Sequence, residues 1–500
     1  MTGADIEETF EASVPVLEET YTETTSNAPA KRPTISEKLV RLGEAAELFH
    51  EEDCTPFASV ILKGGHSATW PLNYKDFRLW LEREYWCKYG QVPSSQAMQD
   101  ALRVLAAMAI HDGQEHQVFV RVAGTDDAVY IDLVNDAWEA VEITADGWQV
   151  IANPPVKFRR AKGMKPLPHP ERGGSIDELR EFVNIKNEVN FILFSGYIIG
   201  ALNANGPYPV LVINGEQGSA KTSAQRVACK LIDPGRPDLR SAPRNEQDFV
   251  IGARNKWALG FDNLSHIQPW FSDAICRLAT GSGFATRTLY ENDEETTFEA
   301  TRPQLLNGIG DIANRGDLLS RALVITLPSI SASSRKSEST FWQSFEVARP
   351  RILGALYDAV SCAIRDLPNV HLDALPRMAD FVKWVTAAEP ALGWVKHTFV
   401  DACNYNRKQA NELALEASPL TPFVFQVAKS DWQGSPSELL VKLNELAPDS
   451  QKHLKAWPKS AKALTNELDR LAPDLRATGI NAERGRNMHG RFWTIERLKE

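Results

Sequence analysis

The feature that most constrains the fold is the eight-residue glycine loop 215–222. It follows an apolar run at 209–213 and precedes a segment typical of a helix. A strand, a glycine loop and a helix in this order form a phosphate cradle, because glycines let backbone N–H groups turn toward a triphosphate. Lys221 can then reach the β- and γ-phosphates, and the Thr222 hydroxyl can ligate Mg²⁺. We therefore expect ATP and Mg²⁺ to be bound by Gly215, Gln217, Gly218, Ser219, Ala220, Lys221 and Thr222.

The loop departs from the usual pattern at Ala220, because a glycine normally precedes the lysine. Alanine is the smallest departure, and it still permits helical φ/ψ at the start of the helix that follows. Gly218 keeps the loop flexible where the backbone approaches phosphate most closely. The alternative is a chance glycine turn with an exposed lysine.

Three later motifs place a polar side chain beside an apolar strand. Asp262 ends the run 257–262 and can hold the metal next to the loop. Asn307 lies near the end of 303–308 and is suited to orienting an attacking water. Arg321 precedes the strand 322–325, and its guanidinium can stabilise the charge on a transferring phosphoryl group. Each motif alone is typical of an ordinary strand with a polar end, but the order of all of them favours catalysis by Lys221, Asp262, Asn307 and Arg321.

Length and composition predict a multidomain α/β protein. With 500 residues, 43% of them apolar, the chain has room for roughly three domains. The expected units are an acidic tail at 1–33, an α+β module at 34–164, a P-loop core at 175–340, a helical lid at 341–428 and a C-terminal domain at 431–500. The module begins with helices at 74–89 and 96–110 and continues with short strands, the first at 117–122. A proline-rich linker at 165–174 joins it to the core.

The last seventy residues have a signature of their own. Ser435 to Glu438 form a capping box with proline at the first helical position, and a second helix and an apparent hairpin follow. Helix, helix and hairpin suggest a winged helix, in which Arg484, Arg486 and Arg491 would contact duplex DNA. The alternative is a solvated charged face on a protein-binding domain.

Charge and cysteine content exclude several classes of protein. The net charge of −10 argues against a surface coated with bases for nucleic acid, although local patches remain compatible with it. The six cysteines form no close C-x-x-C pair, so neither zinc nor a disulfide framework is indicated. The longest apolar stretch, 191–202, is too short to span a bilayer. We expect a cytoplasmic protein with no membrane partner.

These motifs together resemble the ATP-binding proteins of phages and integrative elements that carry a superfamily 3-like AAA+ helicase core. The resemblance extends over about 170–410, and the C-terminal winged helix also resembles theirs. It implies a homo-hexameric ring with Lys221 and Thr222 in the first nucleotide motif, Asp262 in the second and Asn307 as sensor. It also implies that Arg321 reaches a neighbouring subunit as an arginine finger. Arg287, in 283–295, resembles the hairpin that lines a channel for single-stranded DNA.

One position departs from related ATPases, which often place a catalytic acid directly after the second motif. Here that residue is Asn263. Since an amide cannot take a proton from water, the base is Asp262, another acid such as Asp293 or Glu294, or is absent.

Three functions are compatible with these residues. The leading one is an ATP-dependent DNA helicase or translocase that replicates a phage or mobile element. The second is a winged-helix replication initiator or regulator that uses ATP as an assembly switch, which Asn263 favours. The third is an ATPase that remodels a partner protein. Primase activity is not supported, because the N-terminal module has no acid pair alternating on one strand.

Overall fold

The computed structural model describes residues 32–287, 295–308, 316–331, 333, 335–416, 418–488 and 490–498. All but the last two residues of the predicted acidic tail, 1–33, lie outside the described residues. So do Asp293 and Glu294, the two candidate bases beyond Asp262.

The first unit packs three helices on a small sheet. Its elements are α1 (Ile35–Gly43), β1 (Glu47–His50), β2 (Pro56–Ile61), β3 (Ser67–Pro71), α2 (Lys75–Tyr89), α3 (Ser95–His111) and β4 (Gln114–Glu115). The strand order is β3-β2-β1-β4, and only the β1–β4 pair is parallel. Phe77, Leu81 and Tyr85 are buried at helical spacing on α2. The helices predicted at 74–89 and 96–110 are confirmed.

The second unit is an antiparallel sheet of order β6-β7-β8-β9. Its region contains β5 (Val118–Phe119), β6 (Val122–Gly124), β7 (Ala128–Asp132), β8 (Glu139–Thr144), β9 (Gly147–Ala152) and β10 (Lys157–Phe158). The continuous strand predicted at 117–122 is wrong, because Arg121 has a φ of 65° and interrupts it. The fully buried Arg121 guanidinium donates to Asp233 Oδ1 at 2.9 Å and to three backbone carbonyls. The backbone thus turns where the side chain enters the core.

This sheet packs on the later part of the chain. Trp148 Nε1 donates to Asp358 Oδ1 at 2.8 Å, and Ser361 Oγ donates to the Thr144 carbonyl at 2.7 Å. The segment predicted as a linker is also packed against the rest of the protein, since Leu167 is buried and its N–H bonds the Leu133 carbonyl. The two halves of 34–164 therefore contribute to different hydrophobic cores.

A four-stranded parallel sheet forms the centre of the molecule. This region begins with a 3-10 turn (Ile176–Glu181). Its further elements are, in chain order, α4 (Glu188–Gly200), β11 (Val210–Gly215), α5 (Lys221–Ile232), α6 (Glu246–Asn255), β12 (Leu259–Leu264), α7 (Pro269–Thr280), β13 (Phe284–Arg287), β14 (Glu295–Phe298), β15 (Gln304–Gly308), α8 (Gly316–Leu319) and β16 (Ala322–Leu327). The sheet order is β12-β15-β11-β16, and β13 pairs with β14 in a separate two-stranded sheet. Because the strands are parallel, the residues that follow β11, β12 and β15 meet at one edge.

Three helices follow the sheet: α9 (Glu338–Asp366), α10 (Ala379–Ala388) and α11 (Thr398–Glu416). All three pack against α4, and α11 also packs against β16. Two 3-10 turns lie between them, Leu367–Asn369 and Glu389–Leu392. The buried carboxylate of Glu389 accepts hydrogen bonds from the N–H groups of His397 and Phe399 near the start of α11. Burial raises the Glu389 pKa above its ordinary value, although these hydrogen bonds oppose the shift. The predicted helical character of 341–416 is confirmed.

The C-terminal region contains α12 (Thr421–Val427), a 3-10 turn (Ala428–Ser430), β17 (Trp432–Gly434), α13 (Pro436–Leu446), α14 (Asp449–Lys452), α15 (Ala461–Ala477), β18 (Ile480–Asn487) and β19 (Gly490–Arg497). The Ser435–Glu438 capping box is present, as predicted. The strand order is β17-β19-β18. The hydrophobic core of this region begins at Leu415 and includes α12, so it starts before the predicted boundary at 431.

Candidate nucleotide site

The glycine loop joins β11 to α5 at the carboxyl edge of the parallel sheet. Gly215 has a φ of 148°, and a Cβ there would lie 2.6 Å from the Leu327 carbonyl oxygen, so only glycine fits. Gly218 has a φ of 82°. The Lys221 ammonium donates to the carbonyls of Gly215 and Glu216 at 2.6 and 2.8 Å. The loop thus curls around the lysine that is expected to reach phosphate.

Ala220 does not use the right-handed helical φ/ψ that an alanine permits at this position. Its φ and ψ are 65° and 31°, in the left-handed region. Ala220 is the N-cap of α5 and makes no side-chain capping hydrogen bond. A non-glycine residue in this conformation costs roughly 1–2 kcal/mol. The usual glycine is therefore replaced at a position where its backbone freedom is used.

Thr222 and Asp262 meet at the same edge. Thr222 Oγ1 donates to Asp262 Oδ1 at 2.9 Å. This contact forms although β15 lies between β12, which carries Asp262, and β11, which precedes the loop. Among the described residues no group of three His, Cys, Asp or Glu side chains could hold a metal. A hydroxyl beside a single carboxylate nevertheless fits Mg²⁺, which is usually bound through few protein oxygens together with water and substrate phosphates.

Asn307 lies in a buried hydrogen-bond network. Its side chain is 1% exposed, and its Oδ1 accepts the Asn263 N–H at 2.9 Å. Its Nδ2 donates to Gln225 Oε1, and Gln225 Nε2 in turn donates to the carbonyls of Phe261 and Leu305 at 3.1 and 2.7 Å. Asn263 has a φ of 57°, within the bulge that shifts the register of β12. The network therefore fixes the end of β12 against α5.

Sequence reasoning missed two polar residues beside the loop. Gln225 is fully buried, and its signal was a large polar residue on the apolar face of α5. Asn184 Nδ2 donates to the carbonyls of Ser219 and Pro328 at 3.2 and 2.6 Å, which ties the loop to the end of β16. No local pattern indicates Asn184, because its partners are distant in sequence.

Arg321 lies at the opposite edge of the sheet from the glycine loop. Val210, the first residue of β11, pairs with Ala322 and donates its N–H to the Arg321 carbonyl at 2.9 Å. Gly215 lies five residue steps further along the extended strand, about 16 Å from Val210. The backbone of Arg321 is therefore remote from the loop of its own chain.

The Arg321 guanidinium forms an ion pair with Asp317 on α8. Desolvation alone would raise the pKa of Asp317, but the hydrogen bond and charge of Arg321 outweigh it, and the pKa is lowered. Burial, with a further contribution from Asp317, raises the pKa of the Cys276 thiol to about 12. Arg321 Nε is buried and has no hydrogen-bond partner among the described residues.

The predicted DNA-contacting arginines differ in their surroundings. Arg484 pairs with Asp469 at 2.7 Å. Arg486 and Arg491 are exposed and lie directly opposite each other across the β18–β19 hairpin. Arg287 ends β13, and the segment 288–294 that would form the tip of the predicted channel hairpin lies outside the described residues.

Comparison with known proteins assigns the chain to a class. Residues 176–404 match the family model described as actinomycete integrative conjugative element replication protein. Residues 420–500 match the C-terminal domain of the same kind of protein, AICE RepA. Together the two models cover more than half of the chain, which therefore belongs to the replication proteins of actinomycete integrative conjugative elements. The predicted connection with replication of a mobile element is confirmed.

Two other comparisons are less informative. No curated protein matches the chain. Among solved structures, the A-form apo structure of the NrS-1 C-terminal region (305–718) matches with 9% identity and a TM-score of 0.35, covering 92% of this chain and 98% of that one. Among the described residues, none of the helices has the length and apolar character needed to span a bilayer.

Proposed function

We propose that this replication protein is an ATPase with an AAA+ P-loop core that moves along DNA as a homo-hexameric ring. The observation that carries the proposal is the division of polar residues between two edges of one sheet. The loop, Thr222 and Asp262 share the carboxyl edge, whereas Arg321 lies at the opposite edge. A nucleotide site completed by a second subunit requires this separation.

Each residue at the carboxyl edge has a chemical role in the proposal. Backbone N–H groups of the loop and the Lys221 ammonium would bind the phosphates of ATP. Thr222 and Asp262 would hold Mg²⁺, which supplies charge neutralisation when bound. Asn307 would fix the position of Asn263 beside the γ-phosphate, because its amide already bonds the Asn263 N–H.

The C-terminal region is proposed to be a winged helix that binds duplex DNA. Like charges directly opposite each other on paired strands destabilise a sheet. Arg486 and Arg491 nevertheless face each other on an exposed hairpin. A polyanion between them would relieve the repulsion, and phosphates are the natural polyanion for a replication protein. Arg287 is proposed to contact single-stranded DNA in the ring channel.

A second function is favoured by Asn263, whose side chain is exposed and cannot act as a base. In this alternative, ATP binding assembles the ring at a replication origin, and hydrolysis is too slow to drive processive unwinding. The Thr222–Asp262 contact serves either function, because both need bound nucleotide.

An ATPase assay on the purified protein, with and without single-stranded DNA, separates the two. Turnover that DNA stimulates supports the translocase. Nucleotide binding that assembles the ring, without DNA-stimulated turnover, supports the switch. If the protein neither binds nor hydrolyses ATP, both proposals are wrong.

A further inference from the structure

A second arginine lies beside Arg321 in a groove of about 1250 Å³ between the central sheet, the helical layer and the C-terminal region. This residue is Arg377, just before α10. Its Nη1 donates to Ser320 Oγ at 2.6 Å, and its Nη2 lies 3.8 Å from Asp317 Oδ1. The side chain of Arg377 is 42% exposed, whereas that of Arg321 is 17% exposed.

Arg321 and Arg377 share one carboxylate. The same oxygen, Asp317 Oδ1, faces both guanidinium groups. One carboxylate neutralises only one of two permanent positive charges, so the pair retains a charge of about +1. The two guanidinium groups converge on a single anionic oxygen. A phosphate oxygen could occupy the same position and accept from both groups.

The rest of the groove is close to neutral. Besides this cluster it is lined by Arg407, Lys408 and Arg470, against the two acids Glu412 and Asp474. Arg470 is paired with Glu467, and the pKa of its guanidinium is raised by that hydrogen bond. The Arg321–Arg377 cluster is therefore the part of the groove that favours an anionic ligand.

We propose that Arg377 is a second trans-acting arginine, which contacts the triphosphate bound by the neighbouring subunit together with Arg321. This inference rests on the proposed function. In the free subunit Asp317 holds the two side chains close together, and in the ring the phosphate oxygens of the neighbour's nucleotide compete with that carboxylate. Arg377 cannot serve the loop of its own chain through this cluster, because the cluster lies at the far edge of the sheet.

Mixing of variants tests the proposal. Arg377→Ala is expected to lower kcat on the order of 10²-fold, as expected for one lost donor to transition-state charge. Mixing it with Lys221→Ala should restore turnover, because some interfaces then pair an intact loop with both intact arginines. Mixing Arg377→Ala with Arg321→Ala should restore none, because every interface between the two variants lacks one arginine. Arg365→Ala, which removes an exposed arginine paired with Asp366, is the control and should keep full activity.

The outcomes separate this inference from the proposed function. If Arg321→Ala is inactive but Arg377→Ala retains wild-type kcat, only the role of Arg377 is overturned. The role of Arg377 is also overturned if Arg377→Ala is inactive and mixing with Lys221→Ala at any ratio fails to restore turnover. That result would indicate that Arg377 acts within its own subunit or supports the fold. If the wild-type protein does not hydrolyse ATP, or Lys221→Ala remains fully active, the proposed ATPase itself fails.

Discussion

The two regions proposed to bind phosphate, the glycine loop and the C-terminal hairpin, hold their polar groups in opposite ways. Around the loop, Gln225 and Asn307 are almost fully buried and each bonds a specific partner. On the hairpin, Arg486 and Arg491 are exposed on long side chains. The first arrangement fixes positions, whereas the second supplies charge.

This difference predicts different responses to mutation. In a site that excludes water, one misplaced group changes the rate by orders of magnitude, because electrostatic interactions are strong and geometry is fixed. On a solvated surface each cation adds a small and salt-dependent increment. Mutations in the two regions should therefore differ in the size and in the salt dependence of their effects.

The largest effect is expected at Lys221. Lys221→Ala should abolish ATP turnover with the fold intact, because the ammonium proposed to neutralise the β- and γ-phosphates is lost. A steady-state ATPase assay and a circular dichroism spectrum measure the two properties. Lys230→Ala is a matched control on the same helix, because Lys230 pairs with Glu346 at 3.1 Å, away from the loop, and it should retain turnover. An active Lys221→Ala protein would remove the loop from the mechanism.

The next largest effect is expected for Arg321→Ala. If Arg321 acts as the proposed arginine finger, hydrolysis should fall on the order of 10³-fold or more while ATP binding is retained. Arg321→Lys should recover little, because an ammonium lacks the planar fork. Equilibrium binding of a labelled nucleotide and single-turnover hydrolysis separate the two effects. Equal loss of binding and hydrolysis would indicate a role in the fold or in cis.

The hairpin should show a smaller effect, and one that depends on salt. Replacing Arg486 and Arg491 by alanine should flatten the slope of log Kobs against log[salt] for duplex DNA by about 1.8, since each phosphate contact contributes roughly 0.9. Arg484→Ala should change the slope less, because Asp469 already neutralises that guanidinium. An unchanged salt slope in the double variant would mean that the hairpin does not contact DNA phosphates, and would favour a role in protein binding.

Local signals in the sequence predicted much of this architecture. The apolar run before the loop forms β11, and the Ser435–Glu438 pattern caps α13. Both features depend on residues close together in the chain, so periodicity and capping chemistry are sufficient to predict them. The sequence also indicated that Asp262 would lie near the loop, and Thr222 bonds it directly.

Features that depend on distant residues were not predictable in this way. Arg121 breaks the strand predicted at 117–122 because its guanidinium pairs with Asp233, more than a hundred positions later. Asn184 and Arg377 approach the two edges of the sheet only through tertiary packing. A sequence pattern reports the period of a segment, but not the partner that its polar groups meet.

The smallest effect concerns Ala220 and tests the geometry of the loop itself. Ala220→Gly should stabilise the protein by roughly 0.5–1 kcal/mol, because relief of the left-handed strain exceeds the extra chain entropy that glycine loses on folding. Urea unfolding of the core measures the change in the free energy of unfolding. Ala463→Gly is the matched control, because Ala463 is exposed in α15, and it should destabilise by up to about 1 kcal/mol. Destabilisation of both variants by similar amounts would mean that Ala220 has right-handed φ/ψ in solution. The loop proposed to bind phosphate would then have a different backbone conformation.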